Sequence, residues 1–218
     1  SHKYPVKEPF IEMVKGSLKT FINAFTYPDK TCYPVASQNF QDFYNLIDVY
    51  MDAVLHPILS PYTLQQEGWH YELEDIDQPL SYKGVVYNEM KGAYSSPDDV
   101  LARSSQQSLF PDNVYGVDSG GDPCVIPELN YTAFQRYHKE YYHPGNAFIY
   151  FYGDDDPQER LRRMDDYLKG YGRSTIDSSI SLQPPLPAPR WLDIAYDAGE
   201  NFGERQGLVT VNWLLSET

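Results

Sequence analysis

The run AFIYFYG at residues 147–153 constrains the fold more than any other feature of this 218-residue chain. A continuous apolar and aromatic run of this length, preceded by Pro144, is typical of a buried β-strand. Further strands are predicted at residues 20–26 and 31–37, around Trp69, and around residues 191–195 and 208–214. Pro34 cannot donate to a strand ladder, so its strand is expected to lie at an edge or to bulge there.

Helical periodicity separates these strands. Helices are predicted at residues 7–19, from the cap Asn39 to Pro57, at residues 84–94, from Ser96 to Leu109, around residues 134–141, and from Asp156 to Leu168. Strands and helices mix without a strict βαβ rhythm. The pattern therefore predicts an α+β fold, with a layered mixed or antiparallel sheet and helices packed on one face.

The composition changes once along the chain. Residues 174–189 are rich in Ser and Pro and predict a linker or an exposed crossover. We therefore expect one partial domain over residues 1–173, and the first strands of a following domain over residues 190–218. The chain does not begin with Met, and residues 1–7 resemble neither a signal nor a transit peptide, so we interpret it as an internal piece.

The formal net charge of −14 argues against nucleic-acid binding, because a phosphate-binding face needs clustered Lys and Arg. Acidic charge would attract cationic substrates, although it would equally serve solubility. The 20 tyrosines suit either a peptide-binding wall or a half-buried sheet. Two cysteines predict a reducing compartment, and no apolar run is long enough to predict a membrane span.

Familiar catalytic patterns are missing from the sequence. His138 and His143 are five residues apart, which separates them by about 140° around a helix, so an ordinary helix end is favoured over a metal site. His70 and Glu72 share one face of a strand but do not make a site. The triplet Asp154-Asp155-Asp156 could bind a cation, although helix capping explains it as well.

Glu89 is the most informative acid. It lies in the predicted helix 84–94, whose buried face is expected to carry Val86 and Met90. An unpaired carboxylate near an apolar face is costly to bury, so Glu89 either meets a cation or is an ordinary surface glutamate.

Several long segments, in order, resemble one family. They are SHKYPVKEPF, LKTFINAFTYPDKTCYPVAS, DFYNLIDVYMDAV, QQEGWHYELE, YKGVVYNEMKGAYSSPDD, LFPDNVYGVDSGGDP and YYHPGNAFIYFYGDDDP. Together they are similar to the presequence-protease branch of the insulinase/pitrilysin family of zinc metallopeptidases. The resemblance implies an insulinase-like or mitochondrial-processing-peptidase-like metallohydrolase domain, incomplete at its N-terminus.

The resemblance also implies the site. Members of this family bind Zn²⁺ through the two histidines of a His-x-x-Glu-His helix and a distal glutamate, which corresponds to Glu89. At the position where some relatives carry a second glutamate, this chain has Ser96. The segment Asn23, Ala24, Phe25 and Thr26 resembles the strand that holds the substrate peptide. The His-x-x-Glu-His motif does not occur in these residues, so the chain itself is expected to supply no catalytic residue, one metal ligand and no activity.

Three functional hypotheses follow. The first is a zinc metalloendopeptidase that degrades unfolded, cationic peptides such as targeting presequences, assisted by a second, related half. The resemblance then implies a mitochondrial matrix, chloroplast stroma or bacterial cytoplasm. The second is a family member that has lost the metal and acts as a structural or peptide-binding subunit. The third, a tyrosine-rich interaction domain outside the family, would make the ordered matches coincidental.

Overall fold

A computed structural model describes residues 3–4, 9–197 and 207–215. The described residues up to Phe25, with Thr31–Ser60 and Tyr131–Ser178, form one compact unit. Thr26–Lys30, Pro61–Asn130 and the described residues from Ser179 onward form a second unit. The proposed domain limits at residues 173 and 190 stay a prediction.

The helices and strands alternate irregularly along the chain. The helices are α1 Pro9–Gly16, α2 Phe40–Leu55, α3 Pro61–Thr63, α4 Val85–Ala93, α5 Pro97–Leu109, α6 Tyr131–Tyr141 and α7 Pro157–Leu168. The strands are β1 Lys19–Ile22, β2 Phe25–Thr26, β3 Thr31–Cys32, β4 Val35–Ser37, β5 His70–Glu72 and β6 Ser81–Lys83. A π-helical turn covers Leu64–Gly68, and short 3₁₀ turns cover Val114–Gly116, Ile126–Glu128 and Pro144–Asn146.

The predicted fold class, α+β, is confirmed, because helices combine with small antiparallel sheets. The described strands form three two-stranded sheets, β1 with β4, β2 with β3 and β5 with β6. A bulge in β1, between Lys19 and Phe21, shifts its register against β4. Pro34 lies in the connection between β3 and β4, and its carbonyl accepts a hydrogen bond from the Asn23 amide.

The strands predicted at residues 147–153, 191–195 and 208–214 are wrong for this structure, which has no strand there. A residue counts as part of a strand only when a neighbouring strand takes up its backbone hydrogen bonds, and apolar composition cannot supply that neighbour. One mixed sheet around residues 147–153 is therefore not observed.

The first unit is organised by α2. The Asn39 side chain caps it by accepting from the Asp42 amide at 3.0 Å, and the helix ends before Pro57, both as predicted. Leu46 is fully buried and Ile47 nearly so. Full burial of a leucine side chain stabilises the folded state by about 2 kcal/mol, so this face anchors the unit.

The second unit is organised by α4. Tyr87, Met90 and Ile126 form its buried cluster, and Trp69 and Tyr94 pack against that cluster. Tyr87, Met90 and Tyr94 follow the spacing i, i+3, i+7, so one face of α4 continues into the core.

Candidate functional site

Glycine determines where α4 begins. Gly84 precedes the helix with φ 145° and ψ 154°. A Cβ atom there would lie 2.2 Å from the carbonyl oxygen of Gly68, at the end of the π-helical turn. Only glycine adopts this backbone conformation readily, and only glycine allows this approach. Gly84 therefore fixes the start of the helix that carries Glu89.

Aromatic packing holds the inner face of α4. The Trp69 ring makes edge contacts with Tyr71 and Tyr82, and Tyr82 contacts Tyr87 with ring centroids 5.7 Å apart. The Trp69 indole N–H donates to the Leu129 carbonyl at 2.9 Å. These contacts join the β5–β6 hairpin to the helix and fix how α4 is rotated about its axis.

The outer face of α4 carries Glu89, which is exposed. Val85 and Val86 flank it and are 56% and 37% exposed. The prediction that Val86 lies in the core is wrong, because Tyr87 takes that place and turns Val86 outward. Met90 is buried as predicted.

The surroundings of Glu89 are open. Its carboxylate makes no hydrogen bond or ion pair with residues that the structure describes. Gly92 lies on the same face, one turn later, and a Cβ there would meet nothing within 4 Å. Glu89 thus presents carboxylate oxygens, a normal ligand type for Zn²⁺, on a face with aliphatic neighbours and space beside it. The predicted proximity to Ser1 lies outside the described residues, and proximity to Asn23–Thr26 stays a prediction.

The predicted peptide-binding segment is locally ordered. Asn23 uses its side-chain oxygen to accept the Ala24 amide at 2.8 Å, and its own carbonyl accepts the Tyr50 hydroxyl at 3.2 Å. Phe25 and Thr26 form β2 and are exposed. The Ala24 amide is therefore already hydrogen-bonded within the segment. Its predicted use by a peptide strand stays a prediction.

A tyrosine group that sequence reasoning missed supports this segment. The hydroxyls of Tyr33 and Tyr142 lie 2.8 Å apart, and the Tyr33 ring contacts Tyr50 edge-on. Desolvation raises the pKa of Tyr50 to about 12, and its hydroxyl donates to the Asn23 carbonyl. No spacing in the sequence reveals this group, because its members come from distant elements.

The other candidate groups have structural roles. His138 hydrogen-bonds the Val54 carbonyl at 2.9 Å and His143 accepts from the Gly145 amide, so both serve helix and turn ends. Asp156 caps α7 through the Gln158 amide at 2.9 Å. Asp155 is buried against Arg160, which lowers the pKa of its carboxyl group. Within the described part of the chain, no cluster of three or more His, Cys, Asp or Glu residues could hold a metal.

The pair His70 and Glu72 does meet, on β5. Nε2 of His70 lies 3.0 Å from Glu72 Oε2, and Nδ1 lies 2.6 Å from the Gln65 carbonyl. The hydrogen bond to Glu72 is the main cause that raises the pKa of His70. Both side chains are partly exposed, which fits a solvated pair on the sheet surface.

A cavity of about 350 Å³ lies beside the C-terminal end of α4. Tyr94, Arg103 and Asp122 are among the residues that line it. The Arg103 guanidinium lies 3.4 Å from the centre of the Tyr94 ring and donates to Asp118 at 2.6 Å. The arginine is thus held by both a ring and a carboxylate.

Similarity to known proteins identifies the family of this chain. Residues 128–213 match the family model described as "Peptidase M16 inactive domain". The whole chain is 56% identical to presequence protease 1, chloroplastic/mitochondrial, of Arabidopsis thaliana. It is 41% identical over its full length to the mitochondrial presequence protease of Xenopus laevis, and 50% identical over 92% of its length to protein HypA of Clostridium perfringens. The chain belongs to the peptidase M16 family.

The presequence-protease branch predicted from the ordered segments is thereby confirmed. The M16 chain spans only 21% of the length of its Arabidopsis relative and 22% of the Xenopus one. Among the described residues of this M16 chain, no helix has the length and apolarity needed to cross a membrane.

Proposed function

We propose that the full-length protein is a zinc-dependent metalloendopeptidase that degrades unfolded peptides such as targeting presequences. The observation that carries the proposal is the similarity of the whole chain to presequence proteases from a plant and a vertebrate. The full-length protein would act in the mitochondrial matrix, the chloroplast stroma or a bacterial cytoplasm. A second, related half of the protein would close over the peptide.

Glu89 is the residue that we assign to the metal. Its exposed carboxylate projects from a helix whose rotation is fixed by Gly84, Tyr87 and Met90. A rigid support of this kind keeps a ligand in place before the metal binds. Bound Zn²⁺ would activate water for peptide hydrolysis, and this chain would contribute one of its three protein ligands.

The exposed valines favour a helix as the neighbour of Glu89. Val85 and Val86 lie within one helical turn of the carboxylate, and both leave apolar surface in water. A second helix packed here would cover them and bring its own side chains to Glu89. The family's His-x-x-Glu-His helix fits this place by its chemistry.

Asn23–Thr26 is the proposed peptide-binding segment. An extended peptide would add as a strand beside it, so that main-chain hydrogen bonds give affinity without a strict sequence requirement. The net charge of −14 favours cationic peptides through long-range attraction. Both features suit presequences, which are rich in arginine and poor in acids.

The decisive experiment replaces Glu89 in the full-length protein. Glu89→Gln keeps the size and hydrogen-bonding capacity of the side chain but removes its charge. We expect zinc content after dialysis to fall, and kcat/KM for a quenched peptide to drop by at least about 100-fold, because a metal ion supplies several kcal/mol of transition-state stabilisation. The melting temperature of the metal-free protein should not change, because the substitution leaves the fold intact and only bound zinc would stabilise one protein more than the other.

The matched control is Glu140→Gln, which alters another exposed glutamate, on α6. It should leave zinc content and turnover unchanged. Full zinc occupancy with normal turnover in Glu89→Gln would remove Glu89 from the metal site. The 218-residue chain alone should bind no stoichiometric zinc and cleave no peptide, since one carboxylate cannot replace three ligands.

One observation favours the second candidate, a non-catalytic structural or peptide-binding subunit. The matching family model, over residues 128–213, is described as an inactive domain. The two functions differ in the full-length sequence: a His-x-x-Glu-His motif supports the enzyme, and its absence supports the subunit. Zinc analysis and a peptide assay on full-length protein separate them directly.

A further inference from the structure

The cavity beside the C-terminal end of α4 brings both signs of charge together. Its volume is about 350 Å³, and the residues that line it all belong to the second compact unit. Arg103 lines it together with two acids, Asp122 and Asp197. A cavity with apolar walls and a few polar groups that converge on it is the usual form of a small-molecule site.

Arg103 is fixed in place but uses only part of its hydrogen-bonding capacity. Its side chain is 14% exposed, its guanidinium lies 3.4 Å from the centre of the Tyr94 ring, and its Nε donates to Asp118. The two terminal nitrogens, Nη1 and Nη2, have no hydrogen-bond partner among residues that the structure describes. A guanidinium carries five N–H donors in a planar arrangement that matches a carboxylate, so four donors remain for a ligand.

Two further donors lie beside Arg103 on α5. Ser104 follows it directly, and Gln107 lies one turn later on the same face of the helix. Both residues line the cavity, and neither side chain makes a hydrogen bond within the described part of the chain. Because a hydroxyl and an amide can each donate to a carboxylate, α5 brings one charged and two neutral donors to this cavity.

Asp122 supplies the opposite charge. One of its carboxylate oxygens accepts the Cys124 amide at 2.7 Å, which holds the side chain in place. The other oxygen has no hydrogen-bond partner among the described residues. An isolated anion in the cavity would be repelled by Asp122 and Asp197, and an isolated cation would be repelled by Arg103. A ligand that carries both charges avoids both repulsions.

We propose that this cavity binds a small zwitterion, namely an α-amino acid or a dipeptide with an apolar side chain. The carboxylate of the ligand accepts hydrogen bonds from Arg103, and its ammonium group donates to Asp122. Tyr94, Pro97 and Val100 line the same cavity and provide apolar surface for the side chain of the ligand.

The cavity shares no residue with the proposed peptidase machinery, since it uses neither Glu89 nor Asn23–Thr26. Peptide hydrolysis releases molecules of this class, so a peptidase would meet them as products. Binding at the cavity can therefore be measured independently of zinc content and of turnover.

Isothermal titration calorimetry of the full-length protein tests the proposal with four probes. L-leucine and glycyl-leucine carry both charges, N-acetyl-leucine carries only the carboxylate, and leucine amide carries only the ammonium group. We expect at least one zwitterion to bind with a Kd in the millimolar range or tighter, as for ligands of about ten non-hydrogen atoms. Each single-charge probe should bind at least about tenfold more weakly, because it loses a charge-assisted hydrogen bond. No saturable binding of either zwitterion, or a single-charge probe that binds as tightly, would overturn the proposal.

Substitutions locate the binding. Arg103→Gln should weaken binding of the zwitterion at least about tenfold, because it removes the charged donors. The control Arg136→Gln alters an exposed arginine of α6 and should leave the affinity unchanged. Amino acids also chelate zinc, so Glu89→Gln is measured as well and should retain the binding. Loss of binding in Glu89→Gln would assign the ligand to the metal and overturn the proposal.

Asp122→Asn tests the other end of the ligand and keeps the fold, because the amide retains an oxygen that can accept the Cys124 N–H. It should weaken binding of the zwitterion at least about tenfold but should not weaken that of N-acetyl-leucine, which has no ammonium group. This variant decides the matter even where loss of the ion pair with Asp118 unfolds Arg103→Gln. If Asp122→Asn binds the zwitterion as tightly as the control Arg136→Gln does, the proposed site is wrong.

Discussion

Replacing Gly84 with alanine should loosen the helix that carries Glu89. The backbone at Gly84 has φ 145° and ψ 154°, a region that other residues occupy at a cost of about 1–3 kcal/mol. The new Cβ would lie 2.2 Å from the Gly68 carbonyl oxygen, which is backbone and cannot rotate away. Relieving such an overlap costs about another 1–3 kcal/mol, so we expect a loss of about 3 kcal/mol or more in the local stability of α4.

Hydrogen exchange over residues 84–94 of the full-length protein measures this loss. Since 1.4 kcal/mol corresponds to a factor of ten, about 3 kcal/mol should accelerate exchange of the protected α4 amides by about 100-fold. Gly92→Ala is the matched control, because its Cβ would meet nothing within 4 Å. Alanine is the better helix former by about 0.5–1 kcal/mol, so exchange should slow by up to about fivefold. Equal effects of the two substitutions would refute the reasoning.

Three further predictions address other contacts. Ala24→Pro in the full-length protein removes a main-chain donor and should raise KM for unrelated peptides alike, by about fivefold for one hydrogen bond; unchanged kinetics would place the peptide elsewhere. His70 should titrate above pH 6.5 by NMR, and Glu72→Gln should lower the midpoint of that titration. The stabilisation from this pair is full below pH 6.5 and disappears as the pH rises through the raised pKa of His70. An unchanged midpoint would show that Glu72 is not the cause. Asn39→Ala removes the cap of α2 and should cost about 1 kcal/mol in urea unfolding, whereas no change would mean that water replaces the cap.

Helix caps and helix ends were predicted correctly from the sequence, because they depend on contacts within a few residues. Asn39, Ser96 and Asp156 cap the helices that they were predicted to cap, because a side-chain oxygen and an amide two or three residues later are always within reach. The ends of α2 and α6, before Pro57 and Pro144, follow from the same short-range chemistry. The position of Glu89 as a site candidate came from resemblance, and its role stays a prediction.

The rotation of a helix about its axis and the contacts between distant residues could not be predicted from local sequence signals. The spacing of Val86 and Met90 fits one helical face, yet the Trp69 hairpin and Gly84 turn α4 so that Tyr87 enters the core and Val86 faces outward. Tyr50, which donates to the Asn23 carbonyl, and the bonded pair Tyr33 and Tyr142 come together only after distant elements have packed.

Family membership, helix ends and the α+β class were thus determined by the amino-acid sequence alone, because they depend on residue order and on contacts within a few residues. The tertiary structure alone decided which face of α4 carries an exposed carboxylate. It also decided that residues 147–153 find no strand among the described residues. Both outcomes depend on residues that are remote along the chain. An apolar run indicates only that its burial is favourable, and it does not indicate which surface will bury it.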